Sequence, residues 1–407
     1  MRGLVIFLPL LGCTATQQST GLDVYRVSCT PGGEQFRFPA SVVIDPSPWM
    51  FGQWGFGIAY VECVPKRETG PGWHGTQIRY SSAASGASRL VSGSSRFASC
   101  PLTFASSDGV VIAHVTSHCM ELQIIKPGSS DETPLWKLSC EGFSEINSIF
   151  ILSDFMYIAC RRDLQVGRQS CIVRVSLKMK KWNILWECKA ADHESRIVRD
   201  SCLIDFALYC VIEISSLQGI SYELFVVNLR TGGESFCGRI VEEMGGLEQE
   251  WPFHGDSPLP KALNWPRIAG DSSSLAFAWV SADREVSLRV YTIGERIWSK
   301  QRRVTSKHDE RSPCLLTLSY LDGRCWMMTW VSIDDSRFGQ VIAQCFSRDV
   351  VGPPSLVADA IRVPLWCGFR RSSCTYDDRV WVPWVEADGS GCQLRYSQLS
   401  ATKMTLK

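Results

Sequence analysis

Between Leu275 and Ser400 one pattern of apolar and polar positions is written three times. Phe277-Ala278-Trp279-Val280, Trp330-Val331 and Trp384-Val385 are apolar runs. Each is followed by a short polar turn that carries Asp, namely Asp283, Asp334-Asp335 and Asp388-Gly389. A second run then alternates apolar and polar residues: Ser287-Leu288-Arg289-Val290-Tyr291, Val341-Ile342-Ala343-Gln344 and Gln393-Leu394-Arg395-Tyr396. A period of two puts successive side chains on opposite faces of a strand, and Asp or Gly between two such runs supplies the turn. Each copy is therefore predicted to be a β-hairpin.

Weaker copies run back to the N-terminus. Aligned on the central apolar residue of the third strand, they fall at Ile78, Leu122, Val173, Leu224, Leu288, Ile342 and Leu394. This is a period of about 50 residues. The second unit is predicted to use residues 101–105, 110–115, 120–125 and 135–140. The third uses 148–152, 155–160, 171–177 and 182–188, and the fourth 201–204, 207–214, 222–229 and 235–241. A four-stranded sheet cannot bury both its faces alone and stacks on its neighbours, so the repeat implies an all-β chain folded as a seven-bladed β-propeller. Six or eight blades are the alternatives, because the first and fifth units are irregular. Helical periodicity is absent over any long window. The last unit lacks an outer strand, and residues 21–28 form a strand with no unit of its own. That strand is predicted to pair with the last unit and close the ring, which leaves no exposed edge. The long connection from Glu242 to Leu263 carries four Glu, Gly245-Gly246 and three Pro. It reads as a surface loop, either a solvated insertion or a flap over one face.

Composition narrows the class. A 407-residue chain with 45% apolar residues has room for two or three ordinary domains or one large repeat domain. Lys+Arg 42 against Asp+Glu 41 gives a net charge of +1, so neither a nucleic acid nor an anionic membrane surface is an expected partner. The 15 Trp fall mostly inside the strand pattern and read as core. Met1-Arg2-Gly3, an apolar run to Leu11 and Gly12-Cys13 have the form of a secretory signal, too short to span a membrane. Leu10-Leu11-Gly12-Cys13 resembles the lipobox of bacterial lipoproteins, which implies lipidation of Cys13. The expected organisation is a signal at 1–13, a tether at 14–20 and one propeller domain at 21–407. The expected place is extracytoplasmic, secreted or held to the cell envelope by the lipid alone.

The 18 Cys include no Cys-x-x-Cys, and the six His show no metal-ligand spacing, so no metal and no cofactor is expected. The cysteines are either disulfides or small buried apolar residues; Cys202 with Cys210, or Cys367 with Cys374, are hairpin pairs to consider. Gly-x-Ser-x-Gly, P-loop and Gly-x-Gly-x-x-Gly motifs are absent.

Phe36-Arg37-Phe38-Pro39, the strand after it, Gly57 to Glu62 and Thr76 to Ser82 together resemble the opening blade of a sialidase-like (Asp-box-related) propeller. That resemblance implies that Arg37 is one of three arginines clamping a substrate carboxylate, a task suited to the planar guanidinium fork. Trp265-Pro266-Arg267-Ile268 and Gly368-Phe369-Arg370-Arg371 enter the fifth and seventh units, so Arg267 and Arg370 are the expected companions. It further implies Tyr376 as the nucleophile and Glu68, in the Pro65–Gly75 loop, as the carboxylic acid. No Asp-box is intact: Ser347-Arg348-Asp349 followed by Gly352 keeps only part of one. The expected function is therefore a module binding a glycan or a protein through its central face. A sialidase-type exo-glycosidase is the alternative, and a structural scaffold of the envelope the second.

Overall fold

Alternating runs along the chain form antiparallel hairpins, and the hairpins group into sheets. The computed structural model describes residues 22–31, 36–39, 42–65, 73–82, 88–91, 98–116, 119–127, 136–164, 167–189, 194–217, 219–241, 265–281, 285–304, 312–321, 325–334, 338–362, 373–388 and 391–406. Val42–Phe51, Gly55–Pro65, Trp73–Ser82 and Ser88–Leu90 make one sheet, in chain order. Ala98–Ser106, Gly109–Thr116, Cys119–Ile125 and Trp136–Glu141 make the next. Two groups of the same kind follow. Phe143–Leu152, Phe155–Leu164, Gly167–Ser176 and Lys181–Glu187 form one, and Ser195–Ile204, Ala207–Ser216, Gly219–Asn228 and Glu234–Arg239 the other. A single parallel bridge, Gln169 to Arg196, merges these two groups into one eight-stranded sheet.

Arg267–Gly270, Ser274–Val280 and Val286–Thr292 form the next sheet, whose third strand carries both Ile297–Trp298 and Arg302–Val304. Ser312–Leu321, Cys325–Ile333, Phe338–Phe346 and Val351–Arg362 form another. The terminal sheet consists of Cys374–Tyr376, Arg379–Asp388, Gly391–Leu406 and, beyond them, the N-terminal strand Leu22–Pro31. The seven residues on which the repeat was aligned, from Ile78 to Leu394, all stand on the third strand of their group.

Each group packs on the next around a common centre. Trp54 donates to Ser106 O at 2.7 Å, Ser148 and Ser201 share a hydroxyl contact, and Ile268 N donates to Asp200. Trp326 donates to Ala269 O at 3.0 Å and Ser319 meets Ser373 at 2.8 Å. Phe51 and Tyr376 bring the terminal sheet back to the first, their ring centroids 5.9 Å apart. Apolar clusters fill the spaces between neighbours. One joins Val111, Met120 and Leu122 to Phe143, Ile158 and Val173, and another joins Ile58 and Tyr60 to Trp381 and Leu394. The chain is all-β among the described residues, and its fold is of the β-propeller type. No helix there is long and apolar enough to cross a membrane.

Hairpin turns explain several aspartates. Asp205, Asp377 and Asp378 adopt φ of 53°, 51° and 56°, the left-handed region that Asp tolerates better than most residues. Two strand assignments need correction. Innermost strands begin earlier than their alternation suggests, at Phe143 and Ser195, because a register shift interrupts each of them. Phe36–Pro39 does not open the first sheet; it pairs with Gly391–Leu394 at the rim of the terminal sheet, Arg37 opposite Gln393. The cause is length. Gly391–Leu406 is 16 residues long, Leu22–Pro31 covers its residues 397–406, and Phe36–Pro39 occupies part of what is left.

Twelve of the described cysteines are seen as free thiols, and eight of these are buried. Cys202 and Cys210 cannot bridge their hairpin: Cys210 packs with Val198 and Ile212, while Cys202 faces the cluster of Trp265 and Phe277 on the other side of the sheet. Cys367 lies outside the described residues.

His114 is fully buried, opposite Glu121 on the adjacent strand, with Nε2 3.4 Å from a Glu121 oxygen and Lys137 Nζ at 3.3 Å from the same atom. The His114 contact, and after it the Lys137 charge, outweigh burial and hold the Glu121 carboxyl at about 2. A carboxyl depressed on folding stabilises above its ordinary value of 4.5, and that contribution is lost as pH falls towards 2. Glu121→Gln is therefore expected to lower Tm at pH 6 and to converge with the parent between those two pH values. Parallel Tm-against-pH curves would show that the pair contributes nothing.

Candidate functional site

Five of the innermost strands carry a register shift in their first half or near the middle: Ile44/Ser47, Ser99/Leu102, Ile146/Ser148, Val198/Asp200 and Cys314/Thr317. Extra residues on one strand of a pair bend it and re-aim the side chains that follow. The residues that follow, among them Ser47, Thr103, Ser148, Asp200 and Thr317, line a central cavity of about 230 Å³, and Arg267 reaches the same wall from the start of a strand that runs in unbroken register. Ser373 joins them from the terminal sheet, so every group of strands contributes to this one space.

The lining mixes apolar residues such as Leu102, Phe150 and Leu318 with polar ones, most of which are hydrogen-bonded within the chain. Ser47 meets Thr103 at 3.1 Å, and Thr317 meets Thr329 at 2.6 Å. Asp200 accepts from its neighbour Ser201 N at 2.9 Å and from Ile268 N at 3.2 Å, tying two sheets together. Arg267 donates through Nε to Leu316 O at 3.1 Å, with its other end 4.0 Å from Asp200.

Arg199, which also lines the cavity, forms a two-pronged pair with Glu213, at 2.8 Å through Nε and 2.7 Å through a terminal nitrogen. Tyr222 donates its hydroxyl to the same carboxylate at 3.2 Å. Burial alone would pull the Arg199 guanidinium down; the Glu213 hydrogen bonds and charge outweigh it and hold it above its ordinary value. Burial first, and then the Glu213 charge, push the Tyr222 phenol far up, so it stays a neutral donor. The Arg199 and Arg267 guanidinium carbons sit 4.7 and 5.4 Å from the centroid of Trp265, a buried ring placed to attract both. The two cations of the cavity thus each have a carboxylate partner.

Of the residues singled out from the sequence, Arg267 lies on the cavity wall. Arg37 stands on the outermost strand of the terminal sheet and not at the start of an innermost one. Tyr376 is on an innermost strand but at its far end, exposed beside the Asp377-Asp378 turn and against Phe51. Glu68, Arg370 and Cys13 lie outside the described residues, as does the Glu242–Leu263 loop. Arg199, Asp200, Glu213 and Tyr222 were not anticipated. A signal existed for one of them: Glu213 is a lone carboxylate within Tyr209-Cys210-Val211-Ile212-Glu213-Ile214. Among the described residues no group of three or more His, Cys, Asp or Glu is placed to hold a metal ion.

No family model matches the chain, and no curated protein matches its sequence. Solved structures do share its shape. A protein of unknown function from Dyadobacter fermentans superposes with a TM-score of 0.53 at 9% identity, over 92% of this chain and 99% of that one. The β-propeller domain of the Trilobed protease from Pyrococcus furiosus gives 0.48 at 10% identity, over 91% and 97%. A subtype N11 neuraminidase-like protein from a flat-faced bat influenza A virus gives 0.49 at 7% identity, over 80% and 94%. At such identities the likeness concerns the fold alone.

Proposed function

We propose that this chain is an exported seven-bladed β-propeller, closed by its N-terminal strand and tethered by a lipid on Cys13, that binds a ligand through its central face. The observation that carries the binding reading is the cavity itself, to which all the innermost strands bring hydroxyls and paired charges. Such a lining suits a neutral, hydroxyl-rich group such as the end of a glycan, because the arginines of the cavity already have carboxylate partners within the chain. A carboxylate ligand would have to compete with Glu213 and Asp200. A protein partner on the same face is the other occupant to consider.

A hydrolase of sialidase type has one observation in its favour, the Tyr222–Glu213 pair. Its chemistry points the other way, since Arg199 engages both oxygens of the carboxylate that would serve as base. The test is a glycan-array screen beside a fluorogenic sialoside assay, run on the parent and on Leu102→Trp and Leu318→Trp. Both residues line the cavity and are partly buried. The expected result is glycan binding without turnover, weakened about tenfold or more in each variant as bulk enters the cavity. Binding indifferent to both substitutions moves the site elsewhere on the chain. Turnover lost in a Glu213→Gln variant that keeps the parental far-UV circular dichroism establishes the hydrolase. Silence in both assays leaves a protein partner, to be sought by cross-linking.

A further inference from the structure

Among the described cysteines, Cys160 and Cys171 are the pair that face each other directly across two antiparallel strands. Their sulfurs are 3.6 Å apart and the Cys160 thiol points at the Cys171 carbonyl. Directly opposed residues have Cα atoms roughly 4.5–5.5 Å apart. A disulfide needs about 4.4–6.8 Å between them, so the bond fits without moving either strand. Cys325 and Cys345 are also neighbours, but Cys345 stands opposite Met327, two positions from Cys325. Diagonal positions are roughly 7–8 Å apart, outside that range.

Accessibility decides when such a bond can form. Cys160 is 0% and Cys171 1% exposed, within the apolar cluster shared with Val111, Leu122 and Phe143. Exchange needs a thiolate in line with an incoming disulfide, and neither sulfur can be reached while the sheet is intact. We propose that Cys160 and Cys171 are a disulfide site of the folding chain, joined while their sheet is open and sealed from exchange once it closes. The oxidant is of the thiol–disulfide exchange class, glutathione disulfide or a dithiol oxidoreductase. One cysteine thiolate attacks the incoming disulfide and expels one of its sulfurs as a thiolate. The second cysteine thiolate then attacks the protein sulfur of the mixed disulfide and expels the other. Two electrons pass from the cysteines to the oxidant, which leaves as two thiols carrying the two protons. Burial supports the sealing, because it pushes the Cys160 thiol well above its ordinary value.

The test uses the full chain, reduced, in two arms. In one it is unfolded and refolded with glutathione disulfide; in the other it is exposed to the same reagent while native. Free thiols are then alkylated and the peptides mapped by mass. The refolded arm is expected to yield a 160–171 cross-linked peptide. The native arm is expected to form it at least roughly 100-fold more slowly, since formation must await local opening, while partly exposed Cys119 and Cys237 react directly. Refolded chains with both thiols alkylated, or with Cys160 joined to Cys140, overturn the site. A native arm that matches the refolding arm overturns the sealing.

Discussion

Gly57→Ala is expected to be among the most damaging single substitutions in the chain. Trp49 lies directly across from Gly57 on the neighbouring strand, and its ring occupies the place where a side chain would be. A Cβ added at Gly57 would stand 2.0 Å from Trp49 Cζ2, 2.4 Å from Cε2 and 2.7 Å from Cη2. The indole has nowhere to retreat. It is 1% exposed and packed with Ala59, Ile78, Tyr80, Val110 and Ile112, the contact between the first two sheets. Overpacking of a core costs about 1–3 kcal/mol and occasionally more, and the upper end is expected where no flexible end can yield. Urea denaturation followed by far-UV circular dichroism should show the midpoint fall sharply. Trp49→Leu combined with Gly57→Ala should restore part of the loss, because the smaller side chain frees the space. A parental midpoint in Gly57→Ala alone would mean that the ring lies elsewhere.

The same strand pair shows what the sequence made legible. Third strands were placed from alternation alone, and residues such as Ile78, Val173 and Leu224 stand where the repeat put them, because those strands are regular and half-buried. For the innermost strands, alternation predicts lengths that are too short. Their alternation breaks at the register shift, at Asn147 in one and Arg199 in another, and a pattern of period two cannot be followed through an inserted residue. That break is also where the cavity begins, so the feature that builds the site is the one that hid it. Arg267 was found because it opens a strand after Trp265-Pro266. Nothing local to Arg37 reveals that the last strand is long enough to take two partners, so the sequence alone places it at the start of the first sheet instead.

Glu213→Ala is the second substitution with a large expected effect, and it bears on function as well as stability. Removing the carboxylate strands the Arg199 guanidinium, whose side chain is only 16% exposed, and takes the acceptor from Tyr222. Breaking one partner of a buried ion pair costs about 3–5 kcal/mol, most of it from the charge left uncompensated. The companion change Arg199→Met with Glu213→Leu removes both charges and keeps apolar volume, and should recover the part of the loss that comes from the stranded charge, while the Tyr222 hydroxyl stays without its acceptor. A double variant as unstable as Glu213→Ala would show that the loss comes from packing and not from the stranded charge. The comparison also separates scaffold from site. If the pair only holds two strands together, the double variant folds and keeps its glycan binding. If the Arg199 guanidinium meets ligand in the cavity, the double variant folds and loses binding, and the pair is then a positioning device that fixes a cation on the cavity wall.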